Sequence, residues 1–283
     1  MTMVAAVSSM YRPQQTFMPA ASLPAFHERR PRQNGLLELV PDEVWERLAP
    51  HLQLMSFGMG TVLYEPGTAL RNVYFPTTAI VSVMYETHDG ASAEVARVGD
   101  EGVAGVSLLM GGESNCRSVV QRAGQAYRLR SSILKQEFDR GGLVAQMLLR
   151  YSLSLITQMA QTAVCNRHHS LEQQLCRWLL LSLDRLSGNH VQTTHEMIAN
   201  TIGVRRVGVT QAVGKLQRLG VIHCGRGRIT VLDRRALESH VCECYAVVKR
   251  ETERLMPCNQ TDYDHARIHH ANGHNNAAHH HGI

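Results

Sequence analysis

Between Arg205 and Arg228 the chain carries six Lys and Arg residues and no Asp or Glu. A solvated helix ordinarily mixes both signs, so an acid-free cationic stretch suits a polyanionic partner. Arginine presents a planar fork of donors that matches a guanine edge or a phosphate, whereas lysine acts as a point charge. A second set is softer: Cys242, Cys244 and Cys258, with His240 nearby. Its spacing lacks the paired CxxC pattern usual for zinc. On one continuous helix, moreover, Cys242 and Cys244 would point apart. Ordinary thiols and no metal site are therefore expected. His168-His169 reads as a solvated helix end, although histidine titration would also suit a hinge. The histidines at 265, 269, 270, 274 and 279–281 read as a tail with incidental metal affinity. The chain shows no P-loop, GxSxG elbow or HExxH pair, so it is not read as an enzyme.

The elements that must position the cations are legible around them. Thr194 can cap a helix with Ile198, Ala199 and Ile202 on one face, and Gly203 ends it. A second helix spans about Arg205–Leu219, with Val209, Ala212, Val213 and Leu216 inward and Arg205, Arg206, Gln211, Lys215 and Arg218 outward. Gly220 closes it, and two β-rich runs follow around the turn Gly225-Arg226-Gly227-Arg228. Helix, turn, basic helix and strand pair in that order predict a winged helix-turn-helix, a double-stranded DNA binder. The alternative is an ordinary basic α-hairpin.

The composition is that of a globular protein: 283 residues, 44% hydrophobic, 19% charged, formal net charge +5. Residues 171–256 hold 13 basic and 8 acidic residues, while residues 1–170 are nearly neutral at 15 and 14. No apolar run reaches the roughly 18 residues of a bilayer span. With no convincing signal peptide, and seven cysteines without a framework, a cytoplasmic protein with no membrane partner is expected.

The predicted class is α+β. Residues 1–34, with four prolines, read as a disordered leader, and residues 35–142 as an antiparallel β-roll. Strands are expected at 61–64, 72–75, 80–85, 92–98, 118–122 and 126–129, after a short helix over 41–52. Residues 143–170 form a long helix whose stripe Leu148, Tyr151, Leu155, Met159 and Ala163 suggests a two-helix dimer seam. Residues 171–256 form the DNA-binding unit, opening with a helix over 171–186 and closing with a terminal helix over 235–256. Residues 257–283 form a disordered tail.

This order of units resembles the Crp/Fnr family of bacterial transcription regulators over about residues 36–250. Thr194–Val204 and Arg205–Leu216 are its strongest local match, with weaker support from Tyr64-Glu65-Pro66-Gly67 and Val73-Tyr74-Phe75. The resemblance implies a homodimer on a two-fold DNA site, with RNA polymerase as a further partner if it activates. It also implies a signal site in the roll. Family members that bind cyclic nucleotides carry a Gly-Glu pair and then an Arg-Ser pair. Here Arg117-Ser118 stands where the second pair belongs, but Val106 follows Gly105 and cannot accept a ribose hydroxyl. A cyclic nucleotide is therefore not expected, and no cofactor is assigned. The leader lacks the cysteines of the family's iron–sulfur branch, so no such cluster is expected. Arg206 is the expected guanine reader, Arg205 shares that role or grips phosphate, and Gln211 reads a base or binds backbone. Val207, where many members have an acid, is expected to meet a thymine methyl. Lys215, Arg226 and Arg228 are expected on phosphates. The competing reading is a ligand- or metal-responsive module whose winged helix contacts protein.

Overall fold

A computed structural model describes residues 33–111, 113–186 and 188–256. The leader before residue 33 and the tail after residue 256, with Cys258 and its histidines, lie outside the described residues.

The chain opens with α1 (Gly35–Glu38) and α2 (Asp42–Leu48), a 3-10 turn at Ala49–His51, and β1 (Gln53–Phe57). Next come β2 (Val62–Tyr64), β3 (Asn72–Pro76), β4 (Ile80–Glu86), β5 (Ser92–Val98) and a 3-10 turn at Val106–Met110. The roll ends with β6 (Arg117–Arg122), β7 (Gly124–Arg130) and α3 (Ser131–Asp139). Two antiparallel sheets result, ordered β1-β7-β3 and β2-β6-β4-β5. All six expected strands fall within about two residues of the observed ends, and β5 matches residue for residue. The short β1 was not anticipated, because exposed Leu54 and Gln53 break the apolar alternation. Asn34 is fully buried and anchors α1: its amide donates to the carbonyls of Pro76 and Gly102 at 2.8 Å each, and its oxygen accepts from Leu37 N.

The long helix α4 (Gly142–His168) lies along the roll. Leu148, Tyr151 and Leu155 are buried in the roll's core, with Met159 packed against it. Most of the stripe expected at a dimer seam therefore packs on the chain's own roll, where Tyr151 Oη donates to Val103 O at 3.1 Å, while Ala163 is exposed. A second stripe faces outward: Leu149, Leu153, Ile156 and Val164 are about half exposed, with Ala160 between them.

Beyond α4 follow α5 (Leu171–Leu183), β8 (His190–Gln192), α6 (His195–Ile202) and α7 (Arg206–Arg218). The chain continues through β9 (Ile222–Gly225), β10 (Arg228–Val231), α8 (Arg234–His240) and α9 (Glu243–Leu255). A second core joins Leu175, Trp178, Leu179 and Leu183 of α5 to Ile198, Val209, Val213, Leu216 and Ile229. The expected terminal helix is in fact two, broken at Val241-Cys242, where both residues are extended. α9 folds back on α4, and Leu255 and Met256 reach the roll's core.

Gly102 tests this packing, since a Cβ there would sit 2.4 Å from the Tyr151 ring. Gly102→Ala is expected to lower unfolding free energy by about 1–3 kcal/mol through overpacking. Urea titration of both proteins measures it, and an unchanged midpoint would contradict the close approach.

Candidate nucleic-acid interface

The basic helix stands on its partner as the local sequence requires. Thr194 caps α6 by accepting from Met197 N at 3.2 Å, and Gly203 closes it in the left-handed region at φ 78°. That conformation disfavours any side chain, and a Cβ there would also crowd Ala93 Cβ of β5 at 3.2 Å. Val209, Ala212, Val213 and Leu216 turn inward on α7, at helical spacing. The same periodicity leaves Arg205, Arg206, Val207, Thr210, Gln211 and Arg218 exposed on the other side. β8, β10 and β9 form the wing in that order, with Gly227 at φ 68° in its turn. Arg226 and Arg228 are both exposed at its tip.

Charge is distributed unevenly over this surface. Among the described residues, no carboxylate lies in ion-pair range of Arg205, Arg226 or Arg228. Arg206 Nε is 3.9 Å from Glu196, with both side chains mostly exposed, so solvent screens the pair. Lys215 differs. Its ammonium is 2.5 Å from the Glu172 carboxylate on α5, which joins α7 to the helix beneath it. Sequence position alone put Lys215 on the outer face, and Glu172, 43 residues earlier, gave no sign of meeting it. Thr210 was not singled out; it lies on the exposed face and contacts His195 Nδ1 at 3.1 Å.

The roll's expected signal residues are arranged less favourably. Arg117 begins β6 and its Nε is 3.2 Å from Glu65, both side chains partly exposed. Ser118 is the next strand residue and buried, and strand alternation turns the two toward opposite faces. Gly105 takes φ 99° just before Val106, and a Cβ there would lie 2.5 Å from the Tyr64 hydroxyl. Tyr64 fills that space, donating to the carbonyls of Asn72 and Ala104. Burial pushes its phenol well above the ordinary range.

The expectation that the chain offers no metal site is overturned. Cys165, His169, Cys242 and Cys244 bring one ligand atom each within 4.8 Å of all the others. The helix break at Val241-Cys242 is the reason: Cys242 caps α9 instead of lying within it, so Cys242 and Cys244 are no longer forced apart. The missing leader cysteines therefore do not argue against a metal or cluster, because the ligands come from elsewhere. His169, expected to be a solvated helix end, is only partly exposed within this group. Cys165 and Cys242 thiols stand 3.6 Å apart, and their hydrogen bond pushes Cys242 down toward thiolate and Cys165 up.

The roll and the DNA-binding unit meet through charged side chains. Arg97 of β5 is fully buried, stacks over the Trp178 ring at 5.0 Å, and donates to Ser182 Oγ and to Glu94 at 2.7 Å. Its backbone N donates to Gln158 of α4 at 2.6 Å. Arg185 donates to Glu101 at 2.6 Å, and Gln121 of β6 to Thr201 of α6 at 3.1 Å.

An antiparallel roll, a long helix with an exposed apolar stripe and a cationic winged helix together have the architecture of a DNA-binding regulator. The Crp-like helix-turn-helix domain family matches residues 173–240. The Global nitrogen regulator of Synechococcus elongatus is 25% identical over 197 residues, covering 66% of this chain and 88% of its own. A putative transcriptional regulator of the Crp/Fnr family from Eubacterium rectale superposes at TM-score 0.60, with 18% identity over 73% of this chain and 97% of its own. FixK2 from Bradyrhizobium japonicum also reaches 0.60, with 16% identity over 68% and 98%. Residues 173–240 thus match a Crp-like helix-turn-helix DNA-binding domain, and the chain as a whole shares the fold of these Crp/Fnr-type structures. No helix among the described residues is long and apolar enough to cross a membrane.

Replacing Arg97 should expose the cost of an unpaired buried acid. Arg97→Ala is expected to destabilise the chain by about 3–5 kcal/mol, because it leaves Glu94 uncompensated. Arg97→Met with Glu94→Leu should lose much less in urea titrations. Equal losses in both would show that the pair is not the source.

Proposed function

We propose that the protein acts as a homodimer that reads a two-fold DNA site, one α7 in each of two successive major grooves. The exposed, unneutralised arginines around α7 and the wing carry this reading. A helix of 13 residues spans about 20 Å, enough to lie along a groove. Arg205 and Arg206 stand at its N-terminal end, where a recognition helix meets base edges. Arg206 takes the guanine contact and Arg205 shares it or holds phosphate, while Val207, 69% exposed, offers an apolar contact for a thymine methyl. Gln211 follows one turn later. Arg226 and Arg228 grip phosphate at the wing, and Lys215 would have to leave Glu172 to join them. Where the protein activates, RNA polymerase is its second partner.

The dimer seam we assign is the outward stripe of Leu149, Leu153, Ile156, Ala160 and Val164. Its spacing of three and four suits two helices packed side by side. The two heads must then lie about 34–36 Å apart to engage successive grooves. The polar links through Arg97, Arg185 and Gln121 are the contacts that any reorientation of the head has to exchange.

Two measurements test this. In selection from random DNA, Arg206→Ala is expected to cost about 1–3 kcal/mol on the preferred site and relax one position per half-site. An equal loss on specific and random DNA would remove Arg206 from base reading. Leu153→Glu with Ile156→Glu is expected to yield folded monomers by sedimentation and abolish palindrome binding; an intact dimer would move the seam elsewhere.

A further inference from the structure

Three buried cysteines, Cys165, Cys242 and Cys244, pack on one another apart from both hydrophobic cores. Thiols contribute little as a core of their own, and the DNA-binding reading makes no use of them. Cys165 and His169 are four apart, so the end of α4 turns both to one side. Cys242 and Cys244 approach from the start of α9.

We propose that Cys165, His169, Cys242 and Cys244 bind one soft divalent cation of the zinc type, tetrahedrally, clamping α9 to the junction between α4 and the DNA-binding unit. The distances suit it. Zinc–sulfur and zinc–nitrogen bonds of about 2.3 and 2.0 Å at tetrahedral angles place neighbouring ligand atoms about 3.5–3.8 Å apart. Cys165 Sγ and Cys242 Sγ are 3.6 Å apart, and Cys244 Sγ and His169 Nδ1 are 3.5 Å apart.

Two surrounding features point the same way. His169 turns Nδ1 to the thiols while its Nε2 faces the Glu243 carboxylate at 3.3 Å, the outer partner that orients a metal-binding imidazole. Arg177 is buried, has no carboxylate in ion-pair range among the described residues, and leaves Nε without a hydrogen-bond partner. Its positive charge reaches Cys165 and Cys244. Three thiolates, a neutral imidazole and a dication carry one net negative charge, which that guanidinium would balance.

The position gives the ion a mechanical role. α9 ends in the roll's core through Leu255 and Met256 and begins at the cluster. His169-Ser170 is the hinge from which α5 carries the DNA-binding unit. A bound ion would tie the hinge to the roll through α9, so DNA affinity should depend on metal; this last step rests on the DNA-binding reading above.

The test uses the full reduced chain, stripped of metal and titrated with cobalt(II). The expected result is one equivalent per chain, giving thiolate-to-cobalt charge transfer and intense tetrahedral visible bands. Tail histidines cannot produce the charge transfer. Cys244→Ser should weaken it and remove the rise in melting temperature on adding zinc. Glu243→Gln should keep the spectrum and weaken binding about 10–100-fold. His169→Gln provides a second ligand variant should Cys244→Ser fold poorly. A folded, reduced chain without thiolate–cobalt absorption would overturn the site. So would iron with inorganic sulfide in the isolated protein, or a Cys165–Cys242 disulfide with no metal uptake. Zinc is expected to change affinity for the selected DNA at least fivefold in the wild-type chain and not in Cys244→Ser. Equal affinity with and without zinc would overturn the clamp. If neither protein binds DNA, the DNA reading fails while the cobalt spectrum still decides the site.

Discussion

The arrangement of the whole molecule depends on one buried guanidinium. The Arg97 side chain leaves β5, passes over Trp178 and meets Ser182 on α5, while its backbone N is held by Gln158 of α4, so one residue touches the roll, the long helix and the DNA-binding unit. Burial alone would make it costly, and indeed draws its pKa below the ordinary value. Glu94, Ser182 and the indole face supply what water no longer can. Because this junction is polar and directional, it fixes one orientation. Its donors and acceptors can also find other partners at less cost than exposing an apolar seam. That combination suits a joint between the roll and the DNA-binding unit.

α4 imposes the second constraint. A helix of 27 residues has more surface than the roll can cover. One face carries Tyr151 and Leu148 into the roll, and the opposite face keeps leucine, isoleucine and valine in solvent. Leaving that much apolar surface uncovered is unfavourable, and the second copy of α4 proposed above would cover it. The end of the same helix holds Cys165 and His169. One element thus runs past the roll, the proposed seam and the cysteine–histidine group before reaching the hinge.

Electrostatics separate two kinds of basic residue near α7. Among the described residues no carboxylate is in ion-pair range of Arg205, Arg226 or Arg228, whereas Lys215 is engaged with Glu172. The roll shows the same division between residue type and availability. Arg117 has a carboxylate beside it, and Tyr64 occupies the space next to Gly105.

The sequence by itself determined the local elements and their order. Helical and strand periodicity is a property of neighbouring residues, and caps such as Thr194 and Gly203 act within one turn. The winged helix, its inward valines and its exposed arginines were legible for that reason. Tertiary structure decided which of two apolar stripes on α4 faces the roll, because both satisfy the same period. It also decided that Lys215 meets a glutamate far away in the chain, and that a break at Val241-Cys242 separates two helices. That break brings Cys242 and Cys244 beside Cys165 and His169, more than seventy residues earlier. No spacing rule reads such a group, since its geometry comes from how α9 folds back on α4 and not from the intervening sequence.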